Sequence, residues 1–248
     1  MQILLITSTI APRGKVFALS RSDPQSRLAD YRLALQFYLS QLAAGAFDRL
    51  VYVDNSGHPL DGLQAMTQGS PKSDCVEFVS YTAAPASDDL SRFFLESCLL
   101  QEAFQRSRTL GEAGPDDVVW KITGRYVVNN LARIVRTRPA GFDVYANFRN
   151  HPQKFVDFYL FAARAAAWAG LLDGDLRDFK SQDHGEVILR HKLDAGAFGP
   201  LRVVPRFRHT PDISGIRGHD AASYDGLAYR AKYAVRALAN RLLPGWWI

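Results

Sequence analysis

Lys121, Thr123, Gly124, Arg125 and Tyr126 stand together in the run DDVVWKITGRYVVNN, residues 116 to 130. The run opens with Val118, Val119 and Trp120, the pattern of a strand buried on both faces, and then places two cations, a hydroxyl and a glycine where the strand should end. Fixed charge at a strand end suits an anionic ligand, because ammonium and guanidinium groups bind the oxygens of a diphosphate. Two other polar groups close apolar runs in the same way: Thr7, Ser8 and Thr9 after QILLI, and Asp54, Asn55, Ser56 and Gly57 after RLVYV. Hydroxyls suit a ribose or phosphate, and an aspartate suits the edge of a ribose or base. Together the three groups describe a nucleotide diphosphate. Each alone has a plainer reading, since Asp54 to Gly57 is also a favourable turn and Lys121 and Arg125 are also candidate surface charges.

The elements that must position these residues follow from hydrophobic periodicity. QILLIT (2–7) reads as a buried strand, 30–47 as a helix with Asp30 at its N-cap, and RLVYVD (49–54) as a second strand. The alternation continues with a strand at 75–81, a long amphipathic helix at 87–107, a central strand at 117–126 and a helix at 129–138. FDVYANF (142–148) and KFVDFYLFAARAAAW (154–168) suit strands extending the sheet, 178–193 a helix, and 201–218 a strand running into an irregular loop. Strand and helix alternating in this order predict an α/β fold, a Rossmann-like, mixed but mainly parallel sheet flanked by helices. In open sheets of this kind ligands lie outside the carboxyl ends of the strands, where the three polar groups fall.

The chain has 248 residues, 30 basic against 25 acidic, and a formal net charge of +5. That balance favours phosphates or an anionic membrane face, but no nucleic-acid-binding module is recognisable, so no nucleic-acid partner is expected. Cys75 and Cys98 are the only cysteines and lack metal-site spacing, as suits a reducing cytoplasm. No signal peptide and no run of about 20 apolar residues is evident, so a cytoplasmic location is expected. GxGxxG after the first strand, GxxxxGK[ST], GxSxG and HExxH are all absent. His184, His191 and His209 form no ligand cluster in the sequence, and no metal-ligating residue is assigned.

ILLITS, VYVDNSG, the long helix ahead of the central strand and above all WKITGRY resemble the GT-A type glycosyltransferases with which bacteria build surface polysaccharides. The resemblance covers roughly residues 1 to 195, and KITGRY is its sharp motif. It implies a nucleotide-sugar donor, a UDP-sugar by family tendency, held by the amino-terminal half. A glycan or lipid-linked acceptor would be held by the carboxyl-terminal half. A KxTGRY-like segment occurs in that family near where many members carry DXD, the metal-binding carboxylate pair. Here Asp116 and Asp117 precede the strand instead, which puts a divalent manganese or magnesium ion in doubt. Lys121 and Arg125 can supply positive charge to a departing diphosphate in its place. An inverting transferase also needs a carboxylate base, and Asp183 and Glu186, at i and i+3, offer one, with Glu186 the first choice. First-turn acids favoured by the helix dipole are the alternative explanation.

Residues 225–248 form a tail apart from the transferase-like 1–224, mixing Arg230, Lys232, Arg236 and Arg241 with Tyr229, Tyr233, Leu238, Leu242, Trp246 and Trp247. A basic amphipathic helix ending in tryptophans suits peripheral docking on the inner face of an anionic membrane, or packing on the parent domain. Two rival functions stay open. One is a sugar-phosphate nucleotidyltransferase, hinted at by Arg13, Gly14 and Lys15 after the first strand; the other is a non-catalytic membrane or partner-binding module.

Overall fold

A computed structural model describes residues 1–15, 19–87, 90–173, 185–218 and 220–243. The strands are β1 (Gln2–Ser8), β2 (Arg49–Asp54), β3 (Val76–Ser80), β4 (Val118–Thr123), β5 (Tyr126–Val128), β6 (Val144–Arg149), β7 (Phe155–Arg164), β8 (Val203–Val204) and β9 (Ile213–Gly215). The helices are α1 (Pro24–Ala43), α2 (Asp61–Gln64), α3 (Arg92–Arg106), α4 (Arg108–Gly111), α5 (Leu131–Arg136), α6 (Ala165–Asp173), α7 (Gly185–Asp194) and α8 (Leu227–Leu242).

Seven strands make one sheet in the order β3-β2-β1-β4-β7-β6-β8, and β5 pairs with β9 apart from it. β1 runs parallel to both β2 and β4, and β2 parallel to β3, while β7 is antiparallel to β4 and β6. The expected mixed, mainly parallel sheet is therefore present. Consecutive side chains of β1 alternate between two cores: Ile3 and Leu5 pack with α3, α6 and α7, whereas Leu4 and Ile6 pack with α1 and α5. Burial on both faces is why this strand reads as an unbroken apolar run.

Several boundaries differ from the sequence expectation. Asp30 lies inside α1 and pairs with Arg21 at 2.5 Å; the N-cap is Asp23, whose carboxylate accepts from Ser26 N at 2.7 Å ahead of Pro24. Asp-Pro is the stronger start signal, because proline at the first helical position loses no hydrogen bond. The alanine run after Arg164 is helical, in keeping with alanine's propensity, so the expected second strand ends there. The strand expected at 201–218 is reduced to β8, two residues at the sheet edge, and β9. Within the helix expected at 178–193, the described part is α7; Asp183 and His184 lie outside the described residues, as do Trp246 and Trp247.

Candidate functional site

A cavity of about 330 Å³ opens at the carboxyl ends of β1, β2 and β4. Seven of the residues expected to bind a donor line it: Thr7, Ser8, Thr9, Asn55, Ser56, Thr123 and Arg125. The parallel registers bring them together, since Ser8 sits beside Asp54 and Thr7 beside Thr123.

Asp54, Lys121, Gly124 and Tyr126 do not line the cavity; they build its floor. Asp54 is fully buried, and its two oxygens accept from Ser8 Oγ, Ile10 N, Ser56 N and Ser56 Oγ at 2.5 to 2.9 Å. It staples the loop after β1 to the loop after β2. Gly124 turns the chain out of β4 so closely that a Cβ there would stand 2.6 Å from Ile6 Cγ2 and 2.9 Å from Thr7 O. Tyr126 opens β5, and its carbonyl accepts from Tyr38 Oη at 2.6 Å.

Lys121 is the largest departure from the expected pair of free cations. Its side chain is completely buried, with Nζ 2.5 Å from Glu96 Oε1 and donating to Phe158 O at 2.6 Å. Burial pulls the ammonium below the usual lysine range, and the Glu96 carboxylate opposes that pull. Even residues of a both-faces-buried strand have no solvent to reach, so the charge is neutralised internally instead of offered to a ligand. Glu96 also accepts from Thr7 Oγ1 at 3.0 Å, tying α3 to β1.

Arg125, in contrast, lies against the Tyr126 ring and pairs with no carboxylate among the described residues. Nη1 donates to Tyr31 Oη at 3.3 Å, and its buried Nε has no partner among the described residues. Tyr31 is a hub, since its hydroxyl also accepts from Thr9 N and Arg27 Nη2, each at 3.0 Å. Arg27 in turn donates from Nε to Thr9 O at 2.7 Å, fixing the loop after β1. With Arg13 and Arg92, four arginines face the cavity, and among the described lining residues the one acid is Glu96, which is already paired. Arg13 is expected from the sequence only under the nucleotidyltransferase alternative, and Arg27, Arg92, Tyr31 and Glu96 are wall residues that the sequence did not single out. Arg27 with Tyr31 on α1 and Arg92 with Glu96 on α3 are each spaced i and i+4, one helix face apiece, but which face meets the cavity is set by how the two helices pack on the sheet.

Two backbone contacts narrow the mouth. Lys15 N donates to Ala86 O at 3.0 Å and Ala86 N to Arg13 O at 2.9 Å, with Gly14 between them at φ +76°, where a Cβ would collide with the Ala86 carbonyl. Ser20 N and Arg21 N donate to Gly218 O at 3.0 and 3.1 Å, and Gly218 itself lines the cavity.

Glu186 occupies the first turn of α7, beside the first turn of α3, where a Cβ on Gly185 would stand 2.4 Å from Phe93 Cβ. Glu186 is not on the cavity wall. Burial raises its carboxyl above the usual glutamate range; the nearby Glu96 adds to the rise, and Arg92 and Lys121 oppose it. Glu186 and Lys121, behind the wall, thus form one electrostatic group with Glu96 and Arg92 on it. Among the described residues, Glu96 on the cavity wall and Asp54 beneath it have their oxygens engaged by Lys121 and by hydroxyls and amides, so these two carboxylates do not make a donor set for a hard divalent cation.

No family model matches the chain, and no curated protein matches it. Solved structures similar to it include one from Desulfovibrio desulfuricans G20, described provisionally as a nucleotide-diphospho-sugar transferase, 14% identical over 97% of each chain with a TM-score of 0.44. The galactosyltransferase LgtC in complex with donor and acceptor sugar analogs is 10% identical, over 72% of this chain and 62% of that one, with a TM-score of 0.42. The inositol-1-phosphate CTP transferase from T. maritima is 10% identical, over 92% of this chain and 93% of that one, with a TM-score of 0.47. Similarity at this level leaves the chemistry of the chain to its own residues.

Proposed function

We propose that the chain is a GT-A-like glycosyltransferase that takes a sugar from a nucleotide-diphosphate donor, UDP-linked by family tendency, and passes it to a bacterial surface glycan or lipid-linked acceptor. The observation that supports it most is the convergence of four arginines and a row of hydroxyls on one cavity at the carboxyl ends of the parallel strands. Arg125 holds the donor diphosphate, and the Ser, Thr and Asn side chains meet the ribose. Asp54 and Gly124 support those groups from below, and Lys121 does so by fixing Glu96. In the transfer the acceptor oxygen bonds to the anomeric carbon and the bond to the diphosphate oxygen breaks, with the electron pair leaving on the nucleoside diphosphate. The acceptor proton goes to a carboxylate, for which we propose Glu186, though it stands off the wall of the donor cavity, with Asp183 as the alternative. A raised carboxyl pKa suits a base, since the proton is accepted more readily near neutral pH.

The outward face of α8 supports peripheral attachment to an anionic membrane: Leu227, Val235, Leu238 and Leu242 are each more than half exposed, with Arg230 and Arg241 beside them. Among the described residues no helix is long and apolar enough to cross a membrane.

The test is a thermal-shift panel of nucleotide sugars, nucleoside diphosphates and nucleoside triphosphates. A concentration-dependent rise in Tm with nucleotide sugars and nucleoside diphosphates is expected, because a ligand of the native state raises apparent stability. Absence of any shift would count against the donor site. The nucleotidyltransferase reading is favoured by one feature, the Arg13-Gly14-Lys15 segment held over the cavity mouth. Pyrophosphate release from a nucleoside triphosphate and a sugar 1-phosphate would select it.

A further inference from the structure

α8 packs on the molecule through a polar face. Tyr229, Tyr233, Arg236 and Asn240, at i, i+4, i+7 and i+11, turn inward, the reverse of the usual amphipathic arrangement. They close over the carboxyl end of β6 and the start of β7, where a cleft of about 20 Å³ lies between Arg149, Arg206 and Arg236. Asn240 anchors the helix there by donating to Thr210 Oγ1 at 3.1 Å.

Of the arginines around this cleft, Arg149 is paired with Asp157 and Arg206 is already engaged, so Arg236 carries the unmatched charge among the described residues. Asp157 is taken entirely by Arg149, whose Nε lies 3.0 and 2.9 Å from its two oxygens, and by Asn147 Nδ2 at 2.6 Å. Asp212 acts on Tyr229 and Tyr233 from the opposite wall. Arg236 makes no hydrogen bond or ion pair to a described residue, and burial together with Arg149 pulls its guanidinium below the usual range. Lys232, one turn before it, is pulled down chiefly by Arg236. Crowded like charges of this kind are relieved by an anion.

We propose that this cleft binds a phosphate group carried by the acceptor. Its size excludes a sugar ring. The Arg236 guanidinium with the Tyr229 and Tyr233 hydroxyls, in the field of Arg149 and Arg206, matches the several acceptor oxygens of a phosphate. The cleft also lies on the same edge of the sheet as the donor cavity. Arg125 stands 5.6 Å from the centre of the Tyr126 ring, and Tyr126, Tyr224 and Tyr229 follow at centroid spacings of 5.3 and 4.7 Å, so an aromatic ridge joins the two sites. The identity of the carrier rests on the transferase reading; the phosphate site rests on the residues of the cleft alone.

The experiment uses the full chain with 3-fluorotyrosine at position 233 and titrates inorganic pyrophosphate, following the fluorine signal. A saturable shift is expected, weakened at least tenfold in Arg236→Gln and in Arg206→Gln, and unchanged in Arg125→Gln, which alters only the donor cavity. The native fluorine signal of each variant reports that it is folded. Co-sedimentation with phosphatidylcholine vesicles containing phosphatidic acid, against equally charged vesicles containing phosphatidylserine, separates the sources. Preference for phosphatidic acid that is lost in Arg236→Gln supports a lipid-borne phosphate, while pyrophosphate binding without that preference supports a soluble phosphorylated acceptor. No saturable shift with pyrophosphate in the wild-type chain overturns the site, and does so whether or not nucleotides bind the donor cavity.

Discussion

Arg125 and Lys121 sit four positions apart in the sequence and differ completely in what their charges can do. Arg125 faces the cavity with an unpartnered Nε, so Arg125→Ala is expected to lose about 1.5 to 3 kcal/mol of nucleoside diphosphate binding while the fold survives, measured by calorimetry. Unchanged affinity would remove its diphosphate role. Lys121→Ala should instead unfold more easily, by about 3 kcal/mol, because Glu96 is left without its buried partner. Denaturant melts check this, and Lys121→Met combined with Glu96→Gln should recover part of the loss. Glu186 gives a pH prediction. Its folded carboxyl is raised, mainly by burial, so the cost of holding its charge is absent below the ordinary glutamate value of 4.5, grows as pH rises above it and is complete once pH has passed the raised folded value. Glu186→Gln should therefore match the wild type in Tm at acid pH and exceed it increasingly toward neutrality. A Tm difference that stays flat with pH would contradict the raised carboxyl. The hydroxyls of the wall were legible because strand ends are easy to locate. The burial of Asp54 and Lys121 was not, since sequence shows that a strand is buried but not whether the charge on it finds an internal partner.

Elements were legible in proportion to their periodicity. β1, β2 and β4 stand out as apolar runs, and the long helix ahead of β4 as an amphipathic repeat, whereas the two-residue β8 and the three-residue β9 are too short to leave a pattern. The contact between the loops after β1 and β3 was equally invisible, because it joins backbone groups about seventy residues apart through a glycine of ordinary appearance. It yields a prediction at this scale. Gly14→Ala would push a Cβ into the Ala86 carbonyl at a φ of +76°, which should part the two loops. Donor affinity is expected to fall several-fold with little change in the main melting transition, since the contact lies at the cavity mouth and outside both cores. Retained affinity, measured by the same calorimetry, would show that the loops do not shape the donor site.

At the scale of the whole molecule, the sheet presents two basic sites along one edge, and α8 covers the second while turning an aliphatic stripe outward. Leu238→Ser with Leu242→Ser should leave Tm unchanged, both side chains being well exposed, yet reduce binding to vesicles containing phosphatidylserine by tenfold or more. Equal co-sedimentation of wild type and variant would reject membrane docking of that face. The general architecture was legible from the order of strands and helices. The polar inward face of α8 was not, because a basic amphipathic helix is normally expected to bury its leucines. The most direct measurement is the release of nucleoside diphosphate from a set of nucleotide sugars, followed in excess chelator for the wild type and for Glu186→Gln. Release is expected in the wild type, with a fall of about 100-fold or more in the variant at nearly unchanged donor affinity. Absence of release from every nucleotide sugar, or full activity in Glu186→Gln, would contradict the mechanism, and activity that appears only when manganese or magnesium is restored would contradict a diphosphate held by arginine alone.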